Sequence, residues 1–220
     1  MLKGQRGKRP LVCVFAHPDD EAFGPSGTIA KFAQDRDVYI LCATNGEAGG
    51  NHKNIAQIRR NELLKSAKIL GVKKVYFLNF IDGTLSNSLY HQLASKIETK
   101  LKILKPDSLL TFEPRGISGH IDHITVSMVT SYVFQRLSFV RKLLYFCITS
   151  ENRKLIGDYF IYFPPGYNKD QIDEIIDIKD VWPQKLKAMM IHQSQVSDAK
   201  RIVAILKKLP RVEYFQVLEK

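Results

Sequence analysis

The sequence predicts an α/β fold: a Rossmann-like, doubly wound, mainly parallel sheet with helices on both faces. Short β-rich apolar runs recur along the 220 residues. Most are continuously apolar and not alternating, as strands covered on both faces are. Segments with helical spacing lie between them, so strand and helix alternate.

The expected strands are residues 11–15, 38–43, 75–78, 108–112, 143–148 and 159–163, with 212–217 as a candidate last strand. The expected helices are 28–34, 56–70, 90–104 and 124–137. In the second of these, Ile58, Leu63, Leu64, Ala67 and Leu70 recur at helical spacing; Gly71 supplies its stop, and Pro106 ends the third. Later, 180–193 reads as a helix interrupted early by Pro183, and 198–209 as another with Ile202, Val203, Leu206 and Leu209 on one face.

Composition bounds the rest. A 45% apolar and 25% charged chain can fold around a core and is not a disordered tail. This length suits one domain, residues 10–220, preceded by a basic and potentially flexible arm over 1–9. No apolar run approaches the roughly 20 residues of a membrane-spanning helix, and no signal-length apolar stretch follows the basic start, so a cytoplasmic protein without a membrane span is expected. Cys13, Cys42 and Cys147 each lie in an apolar run, where free cysteine is a small buried hydrophobe, and their odd number fits a reducing compartment. The net charge of +11 raises nucleic acid or an anionic surface as a partner, but the lysines scatter along helical faces, which suits solubility, so no specific nucleic-acid role is expected.

Two polar clusters stand beyond strand ends, where open parallel sheets bind ligands. The first strand runs into His17-Pro18-Asp19-Asp20-Glu21, and the fourth leads through a loop to His120-Ile121-Asp122-His123. An acidic residue at one strand end is ordinarily a helix cap or turn residue. Here, in strand order 3-2-1-4-5, strands one and four are neighbours, so the two clusters meet in one crevice. Catalytic zinc takes three His and Asp or Glu ligands and keeps a place for water, a set that His17, Asp20 and His123 supply. Adjacent carboxylates such as Asp19 and Asp20 repel each other unless a cation offsets them.

The string Ala16-His17-Pro18-Asp19-Asp20-Glu21 with the later Ser118-Gly119-His120-Ile121-Asp122-His123 resembles the LmbE-like, or PIG-L, family of N-acetylglucosaminyl deacetylases. The resemblance continues through Thr44-Asn45-Gly46-Glu47-Ala48-Gly49, Arg59-Arg60-Asn61-Glu62-Leu63 and His192-Gln193-Ser194-Gln195. It implies one Zn2+ per chain, or another divalent ion, on His17, Asp20 and His123, with Asp19 as base. It further implies His120 as acid or oxyanion stabiliser, supported by Asp122, and Arg59, Glu47 and His192 on the substrate side. For His192, capping or packing is an equal alternative. The implied reaction removes an N-acetyl group from a small N-acetylglucosamine-type sugar or conjugate, in a protein that can be a homo-oligomer. An amidase on another acyl-amino or thiol-conjugate substrate, or a non-catalytic basic protein that binds metal or anions, are the alternatives.

Overall fold

A computed structural model describes residues 8–157 and 162–220. Its sheet has the order β3-β2-β1-β4-β5-β7-β6. The strands are β1 (Leu11–Phe15), β2 (Val38–Thr44), β3 (Lys74–Phe80), β4 (Ser108–Phe112), β5 (Lys142–Cys147), β6 (Glu174–Asp177) and β7 (Val212–Glu219). The first five pair in parallel in the expected order 3-2-1-4-5, and β7 and β6 extend the sheet antiparallel.

The continuous apolar runs have their predicted cause. Leu11, Cys13 and Phe15 of β1 enter one core with Cys42, Ala67 and Met189, whereas Val12, Val14 and Ala16 enter another with Ile97, Val129 and Val133. Both faces of the strand are therefore covered. The first core is roofed by α2 (Ser26–Phe32), α3 (Ile55–Ile69) and α8 (Trp182–Ile191), the second by α4 (Tyr90–Leu104) and α6 (Ile121–Arg136). The remaining helices are α1 (Asp20–Phe23), α5 (Gly116–Gly119), α7 (Ser150–Arg153) and α9 (Val196–Leu206).

Gly71, at φ 77, takes the left-handed conformation that terminates α3. Pro183 does not interrupt α8: it occupies the first turn, where a missing N–H costs nothing. The strand expected over 159–163 falls mostly outside the described residues, as does most of the basic arm. Among the described residues, no helix is long and apolar enough to cross a membrane, and the three cysteines are buried and free.

Candidate active site

β1 ends beside β4, so the chain leaving Phe15 and the chain leaving Phe112 open into one crevice. Asp20, the first residue of α1, is fixed by its own turn: Oδ2 accepts the N–H of Ala16 at 3.0 Å and of His17 at 2.9 Å. Its other oxygen lies 3.2 Å from His123 Nε2, and His123 stands in the first turn of α6. His17 Nδ1 lies 3.1 Å from the same His123 nitrogen and 3.8 Å from Asp20 Oδ2.

The outer hydrogen bonds decide which ring atoms are free. His123 Nδ1 is 3.1 Å from the Gly116 carbonyl, which can only accept, so Nε2 is left with its lone pair. His17 Nε2 lies 2.9 Å from Asp82 Oδ1 and 3.2 Å from Asp122 Oδ2, which turns Nδ1 to the same point. His17 Nδ1, His123 Nε2 and the Asp20 carboxylate thus converge on one locus that favours a cation. Bonds of about 2.0–2.2 Å to a tetrahedral ion set its ligands roughly 3.3 Å apart, so this donor set fits zinc. A ring nitrogen of His120 also falls within 4.8 Å of those of His17 and His123. The local field has the same preference. Burial disfavours charge on His17, yet Asp122, Asp82 and Asp20 raise its pKa to about 10; Asp20, despite burial, is held below the usual carboxylate range by His123 and His17.

Asp19 sits beside this locus with φ 120, a conformation L residues rarely take. Its Oδ2 is 3.0 Å from Arg59 Nη2, and its N–H donates to Glu21 Oε2 at 3.1 Å. Burial raises its pKa to about 6, with Arg59 opposing the rise. Such a carboxyl is basic enough to take a proton near neutrality.

Arg59, expected on the sugar, lies in the cavity wall with both terminal nitrogens bonded to the protein. Nη1 donates to Gly46 O at 3.0 Å and Nη2 to Pro18 O at 2.8 Å as well as to Asp19. A Cβ on Gly46 or Gly49 would collide with this guanidinium, which explains the two glycines of the Thr44 to Gly49 string. Arg59 therefore acts first as the clamp on Asp19.

His120 caps α6: its Nδ1 accepts the N–H of Asp122 at 3.1 Å, which leaves the proton of the neutral ring on Nε2. The expected role as acid, supported by Asp122, would need this ring charged. Instead burial, then His123 and His17, lower its pKa to about 4, against the pull of Asp122. The Asp122 carboxylate accepts from Gly83 N at 2.8 Å and Leu85 N at 3.1 Å and lies 3.2 Å from His17 Nε2, so its hydrogen bonds hold His17. Glu47, expected on the substrate, ties loops together by accepting from Asn45 Nδ2 at 3.0 Å and Asp82 N at 3.2 Å. His192 is fully buried, with Nε2 2.8 Å from Glu21 Oε1, and through Glu21 it braces the Asp19 turn.

Asp82 is the residue that sequence reasoning missed. It touches His17, lies 3.6 Å from Arg59 Nη1 and accepts the Ala48 N–H at 3.1 Å. Its signal was its place beyond the carboxyl end of β3, without an adjacent His to mark it.

The site borders a cavity of about 390 Å3. His17, Asp19, Asp20, Arg59, His120 and His123 line it, together with apolar residues such as Phe23, Phe112 and Phe146 and polar ones such as Asn152, Gln195 and Arg201.

Residues 12–134 match the family model described as "PIG-L: GlcNAc-PI de-N-acetylase". A probable N-acetyl-alpha-D-glucosaminyl L-malate deacetylase 2 of Bacillus cereus is 28% identical over 199 residues, covering 86% of this chain and 84% of that protein. The diacetylchitobiose deacetylase of Thermococcus kodakarensis is 30% identical over 202 residues, covering 85% and 70%. Among solved structures, the N,N'-diacetylchitobiose deacetylase of Pyrococcus horikoshii, complexed with its inhibitor MPG, superposes with a TM-score of 0.74 over 96% of this chain and 84% of that one, at 24% identity, a likeness of fold. The chain belongs to the PIG-L, or LmbE-like, family of metal-dependent deacetylases.

Proposed function

We propose that this protein hydrolyses the N-acyl amide of an N-acetylglucosamine-type substrate, using one zinc ion on His17, Asp20 and His123 and Asp19 as the general base. The observation that carries this reading is the convergence of His17, His123 and the Asp20 carboxylate, with His123 Nε2 3.1 Å from His17 Nδ1 and 3.2 Å from Asp20 Oδ1, and with the clamped Asp19 beside them. The relatives named as deacetylases of glucosaminyl conjugates and of diacetylchitobiose support the substrate class.

When bound, zinc polarises the amide carbonyl and acidifies water. Asp19 takes the proton of the attacking water and, as the C–N bond breaks, returns it to the departing nitrogen. Arg59 keeps the base turned to that task. His120 acts as a neutral donor through Nε2–H, stabilising the developing oxyanion. Asp82 and Asp122 hold the His17 ring in its ligating orientation, the second-shell role that carboxylates commonly play for zinc histidines.

The test is release of free amine and acetate from N-acetylglucosamine, diacetylchitobiose and a glucosaminyl conjugate by metal-replete protein. Amine release that stops on chelation and returns with zinc is expected. Loaded, folded protein that frees no amine from any of them would refute the proposal.

A further inference from the structure

Resting on that reading, we infer that Glu113 and Tyr167 are positioning residues for the metal ligand His123, acting through the one peptide unit that joins Gly116 to Ile117. That unit faces two ways. Its carbonyl, on Gly116, lies 3.1 Å from His123 Nδ1, and its N–H, on Ile117, donates to Glu113 Oε1 at 2.9 Å. A peptide is planar and trans, so fixing the direction of the N–H fixes the carbonyl on the opposite side. The carboxylate that draws on the N–H also polarises the unit and makes its carbonyl a better acceptor. Glu113 therefore sets both the aim and the strength of the bond that leaves His123 Nε2 with its lone pair at the metal locus.

The loop needs such a hold. Gly116 has φ 70, and Ile117, a β-branched residue, has φ 63 and ψ −59, a conformation that such side chains rarely adopt. Glu113 directly follows β4 and is only 2% exposed; its second oxygen accepts the Arg115 N–H at 2.8 Å and the Tyr167 hydroxyl at 2.7 Å. Tyr167 is itself fixed to the chain leaving β5, where its N–H donates to Ile148 O at 2.9 Å and its carbonyl accepts the Ser150 N–H at 2.8 Å. Burial and the Glu113 carboxylate push its phenol above the usual range, so it remains a donor, and the Arg115 guanidinium stands 4.0 Å from the centre of its ring. The line from Tyr167 through Glu113 and the Gly116–Ile117 peptide to His123 thus ties the loop after β4 to the segment after the neighbouring β5. Tyr167 lies outside residues 12–134, so the family match does not include this end of the line.

The experiment compares the zinc affinities of wild type, Glu113→Gln and Tyr167→Phe by competition with a chromophoric chelator, well below the melting temperature of each metal-free protein. Glu113→Gln turns one acceptor oxygen into an amide donor facing N–H groups, and should weaken zinc about 10–100-fold, the range for partners of a metal-bound histidine. Tyr167→Phe removes one hydroxyl and keeps the ring, so it carries the test should the first variant fail to fold. It should weaken zinc about five-fold, the worth of one ordinary hydrogen bond. Wild-type affinity in either folded variant overturns the inference, whatever its melting temperature, because lost stability alone is what a simple loop brace would give. That result leaves the metal reading standing as long as wild type binds zinc. Wild-type protein that binds no zinc sinks the metal reading and the inference together.

Discussion

Asp19 combines an unfavourable backbone angle, burial and a guanidinium clamp, a set of costs that a merely structural aspartate would not carry. Asp19→Asn preserves the shape and removes the basicity, so kcat should fall about 10²–10⁴-fold while zinc content stays at one per chain. Turnover near wild type in that variant would exclude Asp19 as the base. Arg59→Gln separates the clamp from a sugar contact. Because its donors serve Asp19, Pro18 and Gly46, the loss should appear in kcat, about 10²-fold for a displaced catalytic group, with little change in KM. A raised KM at constant kcat would return Arg59 to the substrate. Asp82→Asn weakens the outer hold on His17 and should reduce zinc affinity about 10–100-fold in a competition titration with a chromophoric chelator. Unchanged affinity would leave Asp82 with only its contacts to Arg59 and Ala48.

At the scale of elements, β1 to β5 were legible because each holds a short apolar run, and their order because strands alternating with helices take the common doubly wound arrangement. The convergence of His17, Asp20 and His123 was legible because each sits in a dense polar cluster beyond a strand end. Asp82 escaped because it stands singly among Ile81, Gly83 and Thr84. β6 escaped because it is four residues long and bounded by Glu174 and Asp177, a composition that reads as a loop. The partners of β7 were equally hidden. Glu213 looks like a solvent-facing residue, yet it is buried, accepts the N–H groups of Gly27 and Thr28 in the first turn of α2 at 2.9 and 2.7 Å, and pairs with buried Lys185 at 2.8 Å. Lys185 in turn reaches Gly24 O at 2.6 Å, so this pair fastens α1 and α2 to α8 and β7. Glu213→Ala leaves a buried ammonium and two helix N–H groups without their acceptor, and should cost about 3–5 kcal/mol in urea unfolding. A loss under about 1 kcal/mol would show that water replaces the carboxylate.

For the molecule as a whole, the metal locus joins chain segments far apart: His17 and His123 are separated by 106 residues, and Glu21 beside the site is tied to His192 across 171. None of these donors is assembled in an unfolded chain, so an ion binding there selects the folded sheet with β1, α1 and α6 in place. At an ion concentration 100 times its dissociation constant, that selection adds about 2.7 kcal/mol. For a chain of this size each kcal/mol moves the thermal midpoint by roughly 2–4 °C, so zinc should raise it by about 5–10 °C over chelated protein. His123→Ala removes one of the two imidazoles and should abolish both this shift and stoichiometric zinc in metal analysis, whereas Asp19→Asn should keep both. The contrast isolates the ligand set from the base within one melting experiment. An equal zinc-dependent shift in wild type and His123→Ala would mean that the ion binds elsewhere, and the convergence of the two loops would then have to be explained without a metal.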